Sequence, residues 1–72
     1  MNTGKYTRLE IFSKALQAGG SICVISDDGE CRRFSGGEAY YKWIKVPVAK
    51  NTGYEIFCEN CRVSICYLSG CE

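Results

Sequence analysis

Six cysteines and not one histidine in 72 residues set the first limit on what this chain can become. A chain this short buries a modest share of its surface, so a disulfide, a metal or a partner commonly supplements its core. The cysteines can supply either of the first two. Which one depends on the compartment, because disulfides persist outside the cell while free thiols and metal sites prevail in the reduced cytosol. A secretory signal needs an apolar stretch of about 7 to 15 residues after a basic start. Arg8, Glu10 and Lys14 interrupt the N-terminal region, and no stretch approaches the roughly 18 apolar residues of a transmembrane helix. A cytoplasmic protein with no membrane partner is therefore expected.

Two stretches carry helix-start signals. Thr7-Arg8-Leu9-Glu10 and Ser35-Gly36-Gly37-Glu38 both fit the S/T-x-x-E capping box, with Tyr6 and Ile11, then Phe34 and Ala39, as apolar staples. After the first, Leu9, Phe12 and Leu16 recur at helical spacing and Gly19-Gly20 offers a C-cap, which predicts a helix over 8–18. After the second, Tyr40, Trp43 and Ile44 share a side and Pro47 stops the run, which predicts a helix over 36–45.

Between them, Ile22-Cys23-Val24-Ile25 and Cys31-Arg32-Arg33-Phe34 flank a polar turn. A two-residue loop would set Asp27 against Glu30, so a three-residue Asp27-Asp28-Gly29 loop pairing Ser26 with Glu30 is preferred, in a hairpin over 21–34. Residues 47–53 read as a loop. Tyr54, Ile56, Cys58, Cys61, Val63, Ile65 and Tyr67 alternate about Glu59-Asn60, which predicts a second hairpin over 54–68 with all seven on one face and a tail at 69–72. The order α-β-β-α-β-β gives one α+β domain over 1–72: a four-stranded antiparallel sheet of two hairpins with both helices on one face.

The best-defined chemical motif is Cys58-Glu59-Asn60-Cys61. Two thiolates at a hairpin tip can serve a tetrahedral zinc, whose other ligands would be Cys23 and Cys31, or Cys66 and Cys71. The same cysteines can equally be small apolar core residues, or form disulfides. No cofactor is expected, with zinc as the alternative. A redox CxxC ordinarily sits at a helix N-terminus that depresses the thiol pKa, whereas these flanks read as strands. Without histidine the commonest general base is missing, and Asp27 and Asp28 sit where a turn favours aspartate. No glycine-rich phosphate cradle is present. The chain is not expected to be an enzyme.

Binding remains. The net charge of +1 selects no partner by itself. Arg32, Arg33, Tyr41, Lys42, Lys45 and Lys50 form a candidate patch of cations interleaved with aromatic residues, a composition that suits protein hot spots and single-stranded nucleic acid alike. Tyr41 falls off the helical stripe, so its exposure decides whether a patch exists. The expected function is a small non-catalytic binding protein acting by protein-protein contact as an inhibitor of a larger protein or complex. In size and lack of catalytic residues it resembles the inhibitors that phages and other mobile elements make, anti-CRISPR proteins included. A zinc-stabilised nucleic-acid-binding module is the alternative, and a secreted disulfide-rich mini-protein the second alternative.

Overall fold

Alternation at period two prevails over both helix signals. The structure, a computed structural model, describes residues 1–71, with the backbone alone for Cys71, and contains six strands and no helix among the described residues. The strands are β1 (Tyr6–Ala15), β2 (Ser21–Ser26), β3 (Cys31–Ser35), β4 (Lys42–Pro47), β5 (Tyr54–Glu59) and β6 (Cys61–Cys71). They form two three-stranded antiparallel sheets, ordered β4-β1-β6 and β3-β2-β5. The α+β expectation, with its single four-stranded sheet and two covering helices, is overturned: this is an all-β domain.

The predicted helix at 8–18 is mostly β1. Leu9, Ile11 and Ser13 alternate inward with 0% exposure. The capping residues find partners sixty residues away and not within a first turn. The Thr7 hydroxyl donates to the Gly70 carbonyl at 2.5 Å, and Glu10 accepts from the Ser69 hydroxyl at 2.6 Å. A central strand flanked on both sides by ladder bonds satisfies its whole backbone, which outweighs about 1 kcal/mol of cap.

The predicted helix at 36–45 divides into a loop and β4, where Ile44 and Val46 turn inward. Pro47 ends β4, an edge strand, where a missing N–H leaves no ladder bond unmade. The tail predicted from residue 69 belongs to β6 through Cys71, while Glu72 lies outside the described residues.

Only the β2–β3 connection stays within a sheet; each of the others crosses between the two. In the β2–β3 hairpin the Ser26 amide donates to the Glu30 carbonyl, and Gly29 has φ 90°. Asp28 accepts from the Ser26 hydroxyl and the Glu30 amide, while Asp27 accepts from the Gly53 amide at 3.0 Å. Both carboxylates thus hold loops.

The hairpin expected at 54–68 does not form. β5 pairs with β2 and β6 with β1, because the chain swings from one sheet to the other at Asn60, whose φ is 55°. The glycines read as helix caps pack this end of the molecule. A Cβ on Gly20 would meet the Asn60 carbonyl oxygen at 2.6 Å, and one on Gly36 would meet the Cys61 Cβ at 2.8 Å.

The inward faces share one core of Leu9, Ile11, Ile22, Val24, Val46, Val48, Tyr54 and Cys61, edged by Phe34, Ile44, Ile56, Val63 and Leu68. Its polar members are partnered: the Ser13 hydroxyl donates to the Gly36 carbonyl at 2.9 Å, and Thr3 to Ala49 at 2.5 Å.

Candidate functional site

While Leu9, Ile11 and Ser13 of β1 point into the core, Arg8, Glu10, Phe12 and Lys14 point out. Register sets Lys45 and Tyr67 on either side of Glu10, Trp43 and Ile65 on either side of Phe12, and Arg62 beside Lys14. The outer face of the β4-β1-β6 sheet therefore gathers aromatic rings in its middle and cations around them.

A β-bulge completes the gathering. The β1–β6 register shifts between Phe12 and Ser13, so that Ser64 is the extra residue between Val63 and Ile65. An extra residue inverts the alternation beyond it. Val63 packs against the core, and Ile65 and Tyr67 turn outward, 48% and 46% exposed.

The rings touch across strands. Phe12 lies 4.8 Å from Trp43 and 5.2 Å from Tyr41 between centroids, and Trp43 meets Tyr67 edge-on at 5.6 Å. Such pairs contribute roughly 0.5–1.5 kcal/mol beyond their buried area, so the cluster is a firm surface. Trp43 is 42% exposed even so.

Charge on this face is one-sided: Arg8, Lys14, Lys45 and Arg62 stand against Glu10 alone. The Lys14 ammonium sits 5.2 Å from the Tyr41 ring centroid. Glu10 is absorbed locally, with Arg8 Nε at 3.6 Å. The hydrogen bond from Ser69, then the charges of Arg8 and Lys45, hold its carboxyl below the usual range against the cost of desolvation.

The predicted patch residues are dispersed. Lys45 lies on this face, and Tyr41, half-buried, stacks against Phe12 at its margin. Lys42 pairs with buried Ser13 and so takes the opposite side of β4, and Lys50 sits in the β4–β5 loop. Arg33 belongs to the outer face of the other sheet, beside Cys23. Arg32 reaches across the open edge of the sandwich, where Nη2 donates to the Pro47 carbonyl at 2.5 Å. It clasps the edges of the two sheets. The helical reading hid Phe12 and Lys14, and the hairpin reading hid how Arg62, Ile65 and Tyr67 join them; a period-two reading of 8–14 exposes the β1 members, whereas the bulge that turns Ile65 and Tyr67 outward has no signature in the sequence.

The cysteines separate into different settings. Cys23 and Cys31 form a disulfide across the β2–β3 hairpin. Cys58 and Cys61 come together where the chain crosses between sheets: Cys61 is buried and its thiol donates to the Ser21 carbonyl at 3.3 Å, and Cys58 is exposed. Burial, and then the neighbouring Cys58, push the Cys61 thiol up. Cys66 pairs in register with Ile11, at the exposed β6 edge. Among the described residues no group of three or more His, Cys, Asp or Glu could hold a metal ion, and the proposed ligand Cys71 has a side chain outside them.

A cleft of about 530 Å³ lies between loops 16–20 and 36–41, and Glu38 is the charged residue of its lining. Every buried side-chain polar atom among the described residues has a hydrogen-bond partner. No protein-family model, curated protein or solved structure matches this chain.

Proposed function

We propose that this protein is a non-catalytic recognition domain that works by laying the outer face of its β4-β1-β6 sheet on another macromolecule. One observation carries the reading. Trp43, Tyr67 and Ile65, each more than two-fifths exposed, lie in a surface that spans three strands, where Tyr41 stacks on Phe12, Phe12 packs on Trp43, Trp43 meets Tyr67 and Ile65 stands beside Phe12 in register. Exposing this much apolar area has a solvation cost, and large contiguous patches of that kind mark interaction sites. The carboxylate at its centre has a lowered pKa, the opposite of what a general acid needs.

A protein target, with the domain acting as its inhibitor, is the second reading. It is favoured by the aliphatic Ile65 among the rings and by the Trp, Tyr and Arg content, since these aromatic and Arg side chains dominate protein hot spots. The test of the general reading is paired capture from a cell lysate with immobilised protein. Material held by the unaltered protein should be lost with Trp43→Ala plus Tyr67→Ala and kept with Phe57→Ala on the opposite sheet. Equal loss with both variants removes this face from the account.

A further inference from the structure

We infer that the partner of this face is a single strand of nucleic acid, read through base faces and phosphates and not through the sugar. The inference rests on the recognition reading above and specifies its ligand. Three features of the geometry support it.

First, the rings are presented in the way unpaired bases use. Phe12, Trp43 and Tyr67 stand on the three strands of one sheet face, with Phe12–Trp43 and Trp43–Tyr67 centroid separations of 4.8 and 5.6 Å, and within this cluster Trp43 and Tyr67 remain 42% and 46% exposed. Every base has a π-face, and aromatic side chains on a sheet stack bases of any sequence. Paired bases in a duplex conceal those faces. The face of a three-stranded sheet also lacks the helix or two-stranded ribbon that enters a major groove.

Second, the cations sit where a backbone would pass. Arg8, Lys14, Lys45 and Arg62 surround the ring cluster, and they lie on the two flanking strands as well as on the central one. The single carboxylate among them, Glu10, is bonded by Ser69 at 2.6 Å and faces Arg8 at 3.6 Å, which reduces the repulsion a phosphate would meet. Two of these cations are lysines, which the cores of protein interfaces avoid, and the four-to-one excess of cations over acids complements a polyanion.

Third, the serine hydroxyl of this network is not free for a ribose. Ser69, the hydroxyl within the network, already donates to Glu10 and accepts from Arg8 Nε at 3.2 Å. Ribose and deoxyribose strands should therefore bind alike.

The measurement is fluorescence anisotropy of labelled oligothymidylate and oligouridylate of about twelve nucleotides, with a duplex of equal length as comparison. Trp43 is the chain's single tryptophan, so its own emission reports contact in the unaltered protein. Both strands should bind with affinities within about threefold of each other, quench Trp43, and weaken with salt along a log–log slope of about −2 to −3, as expected for three to four phosphate contacts. Trp43→Ala and Tyr67→Ala should each weaken binding about fivefold or more. Tyr67 lies on an edge strand, so its variant serves if loss of Trp43 disturbs the fold.

Absence of binding by both strands up to about 100 µM protein at low salt overturns the inference. So does binding that leaves Trp43 emission unchanged, that survives Tyr67→Ala, or that prefers the duplex. If the oligonucleotides fail while lysate capture still depends on Trp43 and Tyr67, the nucleic-acid inference falls and the recognition face stands. If capture is also independent of those residues, both fall.

Discussion

The two outer sheet faces share a strand count and a pairing geometry, yet they are built for different ends. On β4-β1-β6, rings pack on rings and four cations face one acid. On β3-β2-β5, the outward residues are Ser21, Cys23, Ile25, Cys31, Arg33, Ser35, Glu55, Phe57 and Glu59, with one cation against two acids and a disulfide tying two strands. Phe57 is 53% exposed there but takes part in none of the ring pairs. A chain of net charge +1 thus carries a positive face and a slightly negative one. Whole-chain charge says little about a surface once alternation has sorted the residues.

The sharpest way to break this contrast is to exchange the charges. Lys45→Glu with Arg62→Glu converts four cations and one acid into two cations and three acids, and oligonucleotide affinity should fall more than about 100-fold at low salt. The reciprocal change, Glu55→Lys with Glu59→Lys, leaves the second face with three cations and no acid. If rings matter as well as charge, this face should still bind at least about tenfold more weakly than the first, since each stacked base contributes roughly 1–3 kcal/mol. Equal affinities would reduce the platform to plain electrostatics.

The next contrast is mechanical. The Cys23–Cys31 disulfide closes a short loop on one sheet, and the other sheet has no counterpart among its described side chains. Chain-entropy arguments give such a loop about 2.5 kcal/mol, so reduction, or Cys23→Ser with Cys31→Ser, should lower Tm by about 10–20 °C. Oligonucleotide binding to the folded protein should not change. Intact mass should rise by about 2 Da on reduction. A chelator should leave Tm where it is, because among the described side chains the structure gathers only Cys58 and Cys61; a fall would instead restore a thiolate zinc site that stabilises the fold.

Smaller still is the clasp between the sheets. Arg32→Ala removes the bond to the Pro47 carbonyl, the contact with Glu30 at 3.6 Å and the guanidinium over the Phe34 ring at 5.9 Å. Partial exposure limits the loss to about 1 kcal/mol, or 4–8 °C in Tm. Arg33→Ala, its neighbour on the outer face, should change Tm by less. Equal effects from the two would show that Arg32 holds nothing.

How much of this was readable depended on how local each determinant is. The β2–β3 hairpin follows from its own loop: like charges at Asp27 and Glu30 disfavour one register, and Gly29 permits the other. The strands at 54–59 and from 61 onward show in their alternation, but their partners do not. Asn60 carries the chain to the other sheet, and no residue nearby distinguishes that from a hairpin tip. The capping boxes misled because Thr7 and Glu10 suit a helix start and a strand bonded to Ser69 and Gly70 equally well, and the deciding partners lie sixty residues away. Of the candidate patch, Lys45 lies on the aromatic face and Tyr41 at its margin; Arg32 and Arg33 are adjacent in sequence and are sent by the pleat to opposite sides.

The faintest expected effect tests the one acid on the positive face. Bonds and charges from Ser69, Arg8 and Lys45 lower the Glu10 pKa from its ordinary 4.5, so the folded chain binds that proton less readily than the unfolded chain does. A lowered folded-state pKa adds stability that is fully present above the unfolded value and disappears as pH falls through the folded one. Urea midpoints measured from neutral pH down to about pH 3 should therefore decline on the acid side. In Glu10→Gln the same series should decline less, since the charge that Ser69 and Arg8 favour is gone at every pH. Asp28, also lowered through the Ser26 hydroxyl and the Glu30 amide, contributes to both series and drops out of the difference. Parallel acid limbs in the two proteins would mean that Glu10 is not held by its neighbours, and the positive face would then carry an unscreened carboxylate at its centre.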